Sequence, residues 1–266
     1  MTSPTWDPDL YLSYAAQRAR PFADLVDRIA VPAPASVVDL GCGPGNATVT
    51  LLDRWPRARV HGVDSSPDMI ANATGLARPG LDFSLGEIEQ WRPAAPVDVI
   101  VSNAALQWVP SHLKLLPGWI DALAPGGALA FQVPANADGG GAAQVFRAVA
   151  TDPRFADRLR TVSRSEGPSA AGGVVRPPGQ YLDILAGLGC RVDAWETTYQ
   201  HVLAGEDPVL DWYSGTGLRP YLQALDEDRR AEFRAEVADR LRAAFPRQPY
   251  GTVLPFRRVF VIAYRG

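Results

Sequence analysis

The chain has 266 residues, 47% of them hydrophobic, and a formal net charge of −3. That length and apolar content suffice for a substantial core and set aside wholesale disorder, while the slightly acidic balance offers no basic stripe for a nucleic-acid backbone. Two cysteines cannot form a disulfide framework, no apolar run is long enough to span a membrane, and no basic-then-apolar leader opens the chain, so a cytoplasmic protein with Cys42 and Cys190 as free thiols is expected.

In chain order, an opening helix within residues 1–30 carries Tyr11, Tyr14, Arg18 and Arg20. Val37-Val38-Asp39-Leu40 then reads as a β-branched strand that drives into Gly41-Cys42-Gly43-Pro44-Gly45. Glycines two apart let a backbone turn sharply and approach a ligand closely, because no Cβ stands in the way. Val49, Leu51 and Leu52 suit a following helix whose amino end points back at that ligand. Arg59-Val60-His61-Gly62-Val63-Asp64 is a second strand ending in an acid. An acid about 20 residues beyond a glycine turn is placed to accept hydrogen bonds from ribose hydroxyls. Strand, turn, helix, strand and acid together describe a nucleoside-binding crevice.

The dinucleotide fingerprint is G-x-G-x-x-G, with a pyrophosphate at the helix amino end. Here the spacing is G-x-G-x-G, with Pro44 inside it and Asp39 two residues before the first glycine. An acid at that point repels a pyrophosphate and welcomes a ligand bearing an ammonium and a sulfonium. The string therefore points to S-adenosylmethionine and away from nicotinamide or flavin nucleotides.

Ser65 and Ser66 are suited to cap a helix beginning at Pro67. Leu81 to Leu85 is a short strand with Gly86-Glu87-Ile88 at its carboxyl end, and Val97 to Asn103 is a buried-looking run followed by Ala104-Ala105-Leu106-Gln107-Trp108. Residues 113–123 read as a helix stopped by Pro125-Gly126-Gly127, and Ala128 to Val133 as a fifth strand. Further on come a helix over 180–188 closed by Gly189, a long strand over 191–203, a helix opening at Asp207, a charged helix over 226–245 and a last strand over 257–264. Strands alternating with helices imply a doubly wound α/β fold with a mostly parallel, seven-stranded sheet, ligands lying outside the strands' carboxyl ends. Two late strands around a helical insertion suggest an antiparallel edge hairpin and a helical lid. The expected organisation is one domain over 1–266: an amino-terminal lid helix in 1–30, a cofactor-binding core over 31–134, a flexible connection over 135–180, and late strands over 181–266 with their insertion at 205–246.

Asp39-Leu40-Gly41-Cys42-Gly43-Pro44-Gly45, Asp64 and Asn103 resemble the class I S-adenosylmethionine-dependent methyltransferases, which are Rossmann-like. Trp6-Asp7-Pro8-Asp9-Leu10-Tyr11-Leu12, Arg18-Ala19-Arg20-Pro21, the run from Val63 to Ile70 and the run from Ser102 to Pro110 look like the trans-aconitate methyltransferases, as do Asp193 to Tyr199 and Phe256 to Phe260. The likeness covers nearly the whole chain. It implies transfer of a methyl group from S-adenosylmethionine to a carboxylate of a small polycarboxylic acid, giving a monomethyl ester. The cofactor residues it implies are Asp39, Gly41, Gly43, Gly45, Asp64, Ser65, Met69, Glu87, Ile88 and Asn103, with Glu87 where relatives usually place Asp. One region departs from the family: after Gln132-Val133-Pro134, relatives tend to carry an Asn, a bulky residue and a Ser-His pair, where this chain has Ala135-Asn136-Ala137-Asp138-Gly139-Gly140-Gly141.

A polycarboxylate calls for cations, and arginine binds a carboxylate bidentately. The substrate set is therefore Tyr14, Arg18, Arg20, Trp108, Trp212, Arg219 and Arg258. Adjacent strand residues face opposite sides, so only one of Arg257 and Arg258 faces the site, and the resemblance favours Arg258. His61, His112 and His201 lack metal-ligand spacing, so no metal is expected. No general base is expected either, because a carboxylate is already ionised at neutral pH. The partner is then a small-molecule polycarboxylate, with no nucleic acid and no membrane. Two alternatives stay open: a methyltransferase acting at oxygen or nitrogen of a neutral metabolite, and a cofactor-binding regulatory module without chemistry.

Overall fold

The computed structural model describes residues 15–135, 141–160, 162 and 175–266. In chain order the elements are α1 (Ala15–Asp27), β1 (Ser36–Leu40), α2 (Thr50–Arg54), β2 (Arg59–Asp64), α3 (Pro67–Thr74), β3 (Leu81–Leu85) and β4 (Val97–Asn103). Next come α4 (His112–Asp121), β5 (Leu123–Pro134), α5 (Ala142–Ala150), α6 (Ala156–Leu159), α7 (Pro178–Gly187) and β6 (Arg191–Leu203). The last are α8 (Pro208–Ser214), α9 (Arg219–Gln223), α10 (Glu227–Ala244), β7 (Arg247–Gln248) and β8 (Gly251–Tyr264).

The strands lie in the order β3-β2-β1-β4-β5-β8-β6. β1 pairs in parallel with β2 and β4, β2 with β3, and β4 with β5, as expected for a doubly wound sheet. β8 runs antiparallel to β5: Gly126 N–H donates to Arg265 O at 3.0 Å, and Arg265 N–H to Gly127 O at 2.9 Å. The seven expected strands are present, and β7 is an eighth of two residues, antiparallel to β8. Two boundaries differ from expectation. β5 begins at Leu123 because the ladder with β4 absorbs an irregularity at Val97/Val99, which takes the Pro125-Gly126-Gly127 turn signal into the strand. β8 begins at Gly251, with Pro255 exposed inside it.

Where the sequence reads as one domain, the chain divides into two compact units. The first comprises Arg18–Val133, Arg176–Thr197 and Val259–Gly266. β1 and β4 are buried along most of their length, as strands covered on both faces must be. α1 buries Phe22, Leu25 and Val26, a spacing that lays one helical stripe on the core, and Ile29 just beyond it is buried too. α2 is only five residues long and gives way at Trp55, the residue before Pro56, where the helical conformation is disfavoured.

The described residues of the second unit fall mainly in Pro134–Val175 and Thr198–Arg258. It has its own apolar core, built from Phe146, Phe155, Trp212, Phe233, Leu241 and Phe256 among others. Asp226 caps α10 by accepting from Arg229 N–H at 3.1 Å, and the helix buries Phe233, Val237, Ala238 and Leu241. The 135–180 stretch, expected as a flexible connection, holds α5 and α6, whose Phe146, Val149 and Leu159 join that core. Among the described residues, no helix is long and apolar enough to cross a membrane.

Candidate functional site

The parallel pairing of β1 with β2 brings the glycine turn and Asp64 to one end of the first unit. Gly41 and Cys42 donate their N–H groups to Val63 O at 2.8 and 3.0 Å. All three glycines have positive φ, +80° at Gly41, +56° at Gly43 and +82° at Gly45. Two are also sterically required: a Cβ at Gly41 would lie 2.3 Å from Ala105 Cβ, and one at Gly45 would lie 2.9 Å from Phe83 Cζ. A Cβ at Gly43 would meet nothing within 4 Å, so the middle of the turn faces open ground.

Asp64 organises this turn. Its Oδ2 accepts from Gly43 N–H and its Oδ1 from Ser66 N–H, both at 2.9 Å. Ser66, not Ser65, caps α3, accepting from Met69 N–H at 3.4 Å with Pro67 first in the helix. Ser65 is exposed and Met69 half-buried. Glu87 is exposed beyond β3, and Ile88 is buried beside Gly41.

Asp39 is buried to 1% exposure, and its Oδ2 accepts from Thr48 Oγ1 at 2.7 Å. Its Oδ1 is buried without a hydrogen-bond partner. Burial pushes this carboxyl up to about 7; the Thr48 hydrogen bond opposes that rise and the charge of Asp64 adds to it. Cys42, inside the turn, has its thiol pushed far up by burial and by both acids, so it stays an inert thiol.

At the end of β4, Asn103 is half-buried opposite Gln132 of β5, whose Nε2 donates to Asn103 Oδ1. Ser102 Oγ donates to Leu40 O at 2.7 Å, tying β4 to β1. Ala104 follows at φ +53°, a left-handed conformation that costs a β-carbon residue roughly 1–2 kcal/mol. It is held by its N–H to Gln132 O and by Gln107 Nε2, which donates to its carbonyl. Trp108 closes a 3₁₀ turn, Leu106–Trp108, and is 51% exposed. An open glycine turn, a strand-end acid and a buried carboxyl oxygen lacking a partner suit a positively charged nucleoside.

The residues expected at the substrate are spread through the chain. Tyr14 lies outside the described residues, and of Arg18 only the backbone, in α1, is described. Arg20 is exposed on α1, 3.9 Å from Asp24. Trp212 is buried in the second unit, stacked on His201 at 5.0 Å and 5.5 Å from Phe256. Arg219 opens α9 half-buried, and burial lowers its pKa. A cation at a helix amino end gains nothing from the helix dipole, so helix stability does not explain it. Arg258 is 4% exposed, its guanidinium carbon 4.9 Å from the centre of the Phe256 ring. Its neighbour Arg257 is directed elsewhere, donating from Nε and Nη2 to Ala135 O at 3.0 and 2.8 Å. The alternation along β8 thus separates the two arginines, with Arg258 on the Phe256 face.

Sequence reasoning passed over Thr48, Gln132, Ala104 and the buried pair His112 and Tyr181. Only Gln132 carries a local signal, a polar residue inside Ala-Leu-Ala-Phe-Gln-Val. The others gain their roles from partners distant in sequence. Among the described residues, no three of His, Cys, Asp or Glu gather as a metal site would require.

Comparison with known proteins adds a family. The methyltransferase-domain family matches residues 14–194. A trans-aconitate 2-methyltransferase of Streptomyces avermitilis is 50% identical over 98% of this chain and 97% of its own length. A second, from Mycobacterium tuberculosis, is 44% identical over 98% of this chain and 97% of its own. Among solved structures, the Bacillus YcgJ protein superposes with a TM-score of 0.56 at 14% identity, over 92% of this chain and 98% of that one. The plantazolicin methyltransferase BpumL, solved with S-adenosylhomocysteine, gives 0.53 at 13% identity over 97% of this chain and 90% of that one, a likeness of fold.

Proposed function

The chain belongs to the trans-aconitate 2-methyltransferases, S-adenosylmethionine-dependent enzymes, and from that membership we propose that it converts one carboxylate of trans-aconitate into a methyl ester. When bound, S-adenosylmethionine would supply an electrophilic sulfonium methyl. This chain's residues hold and orient. Asp64 keeps lone pairs for ribose hydroxyls while its backbone contacts fix the turn. Gly41, Gly43 and Gly45 let the backbone approach, and Asp39 sets a negative charge behind them. Met69 and Ile88 offer apolar surface for the adenine, with Glu87 and Ser65 at its polar edges.

The acceptor needs no base, because a carboxylate with a pKa of about 4 is ionised at neutral pH. Holding two reactants in line supplies about 7–11 kcal/mol of barrier reduction, and that alignment is the chain's principal task. The observation that carries the reading is Arg258, a guanidinium at 4% exposure on the Phe256 face of β8. Its planar guanidinium fork matches a carboxylate bidentately, which is the recognition a polycarboxylate requires. Arg219 is the second such cation, with Arg18, Arg20 and Tyr14 of the amino-terminal segment as further contacts. Trp108 supplies exposed apolar surface, while Trp212 supports the core behind Phe256. These arginines hold the carboxylates that do not react. Our reading puts the reaction in the cytoplasm, and the two free cysteines Cys42 and Cys190 support it, because a reducing compartment keeps thiols unpaired.

Incubation with methyl-labelled S-adenosylmethionine and, separately, trans-aconitate, cis-aconitate, citrate and isopropylmalate tests this. A base-labile labelled product with trans-aconitate is expected. A base-stable product would transfer the assignment to oxygen or nitrogen of a neutral substrate, and no product at all would favour a regulatory module.

A further inference from the structure

Gln132 is fully buried on β5, between Phe131 and Val133, in a stretch otherwise apolar from Ala128 onward. Polar side chains are placed at such depth only where their hydrogen bonds are met. Its Nε2 donates to Oδ1 of Asn103, its register partner at the carboxyl end of β4. Asn103 stands where β4 passes the glycine turn, for Ala105, two residues on, packs against Gly41. A carboxamide has one accepting and one donating side. With Oδ1 taken by Gln132, the Nδ2 side is what half-buried Asn103 offers to the crevice. Sulfonium and ammonium groups have no use for an N–H donor, but a carboxylate has. That carboxylate is either the acid acceptor's or the one at the amino-acid end of S-adenosylmethionine, and S-adenosylhomocysteine affinity in the variants below separates the two.

We propose that Gln132 is a positioning residue that fixes the Asn103 carboxamide so that its Nδ2 donates to the carboxylate undergoing methylation. This rests on the acceptor being a carboxylic acid, as proposed above. A neutral amide suits that task better than a guanidinium. Charge-assisted hydrogen bonds are roughly twice as strong as neutral ones, so an arginine on the reacting carboxylate would draw more electron density from it. An amide donor replaces one lost water and orients the group while leaving the second oxygen nucleophilic. That oxygen's lone pair forms the new C–O bond, the C–S electrons pass to sulfur, and no proton moves. Asn103 therefore only donates a hydrogen bond. The lock matters because a free carboxamide presents its oxygen as readily as its nitrogen, and the oxygen would repel the carboxylate.

Three variants test the proposal, each with wild-type turnover of trans-aconitate scored first. Gln132→Leu leaves the amide free to turn, and kcat is expected to fall by about 10–100-fold. Calorimetric affinity for S-adenosylhomocysteine should stay unchanged, and trans-aconitate should bind the S-adenosylhomocysteine complex more weakly. Gln132→Met provides a second apolar variant of similar volume if the melting temperature of the first is depressed. Gln132→Glu gives the distinguishing readout. When neutral, its carboxyl donates to Asn103 Oδ1 as Gln132 does; when ionised, it accepts from Nδ2 and turns the amide around. Its kcat at saturating donor should fall as pH rises relative to wild type, a profile that a packing role would not produce. Full kcat in the apolar variants, equal loss of S-adenosylhomocysteine affinity, or a Gln132→Glu profile parallel to wild type would each overturn the lock while leaving the substrate reading intact. A wild-type enzyme that methylates no polycarboxylate would overturn both.

Discussion

Asp39 and Asp64 are chemically identical residues at neighbouring strand ends, and their surroundings give them different tasks. Asp64 accepts two backbone N–H groups and remains half-exposed, whereas Asp39 is buried with one oxygen unmatched. Because burial lifts the Asp39 carboxyl to about 7, the free protein favours its neutral form. Its contribution to stability is therefore greatest below about pH 4 and declines as pH rises toward 7. A bound cation reverses that preference, so affinity for S-adenosylmethionine should climb across the same window and level off above it. Calorimetry at about pH 6 in buffers of different ionisation enthalpy should detect release of about one proton on binding, and Asp39→Asn should abolish it. The sequence made both acids legible, because a fixed distance from the glycines marks them. It did not mark Thr48, whose hydroxyl matters only because the turn folds it back onto Asp39.

At the scale of elements, periodicity was a reliable guide where a segment spoke for itself. The strand over 191–203 and the charged helix before Pro246 were legible because alternation in the one, and the capping Asp226 with a run of helix-forming residues in the other, are written into their own residues. α5 and α6 were not, since their alanine-rich turns sit between glycine-rich stretches and show their apolar face only against α10 and its neighbours. The start of β5 was hidden in the same way by a bulge that depends on its partner strand. The join between α4 and α7 is another such cross-element feature. Arg176 N–H donates to Tyr181 Oη at 3.3 Å, Tyr181 O–H to His112 Nε2 at 2.9 Å, and His112 Nδ1–H to Val109 O at 2.9 Å. Burial lowers the His112 pKa and raises that of Tyr181 to about 12, so both stay neutral and every donor in the chain meets an acceptor. Tyr181→Phe leaves His112 Nε2 buried and unmet. A loss of about 1–3 kcal/mol is expected in denaturant titration, with S-adenosylhomocysteine affinity retained.

At the scale of the whole molecule, the residues assigned to the donor and two of the arginines assigned to the spare carboxylates, Arg219 and Arg258, fall in different compact units of the chain. Asp39, the three glycines, Asp64, Met69 and Ile88 lie within Arg18–Val133, while Arg219 and Arg258 lie within Thr198–Arg258. The second unit has its own aromatic core, so a change at Arg258 is felt first by Phe256 and its neighbours. Effects on the two ligands should therefore separate. Arg258→Ala is expected to weaken trans-aconitate binding by about 1.5–3 kcal/mol, the usual worth of a hydrogen bond to a charged group, and to leave S-adenosylhomocysteine affinity unchanged. Asp64→Ala should do the reverse, costing about 1–3 kcal/mol of cofactor affinity through the hydrogen bonds it removes. Arg258→Lys keeps the charge without the planar fork, so it should recover part of the loss and guard against a folding defect. Steady-state kinetics with trans-aconitate, read beside calorimetry with S-adenosylhomocysteine, measures both sides. If Arg258→Ala and Arg258→Lys lost cofactor and substrate affinity together, Arg258 would be a structural cation of the aromatic core, and the carboxylates would have to be held elsewhere.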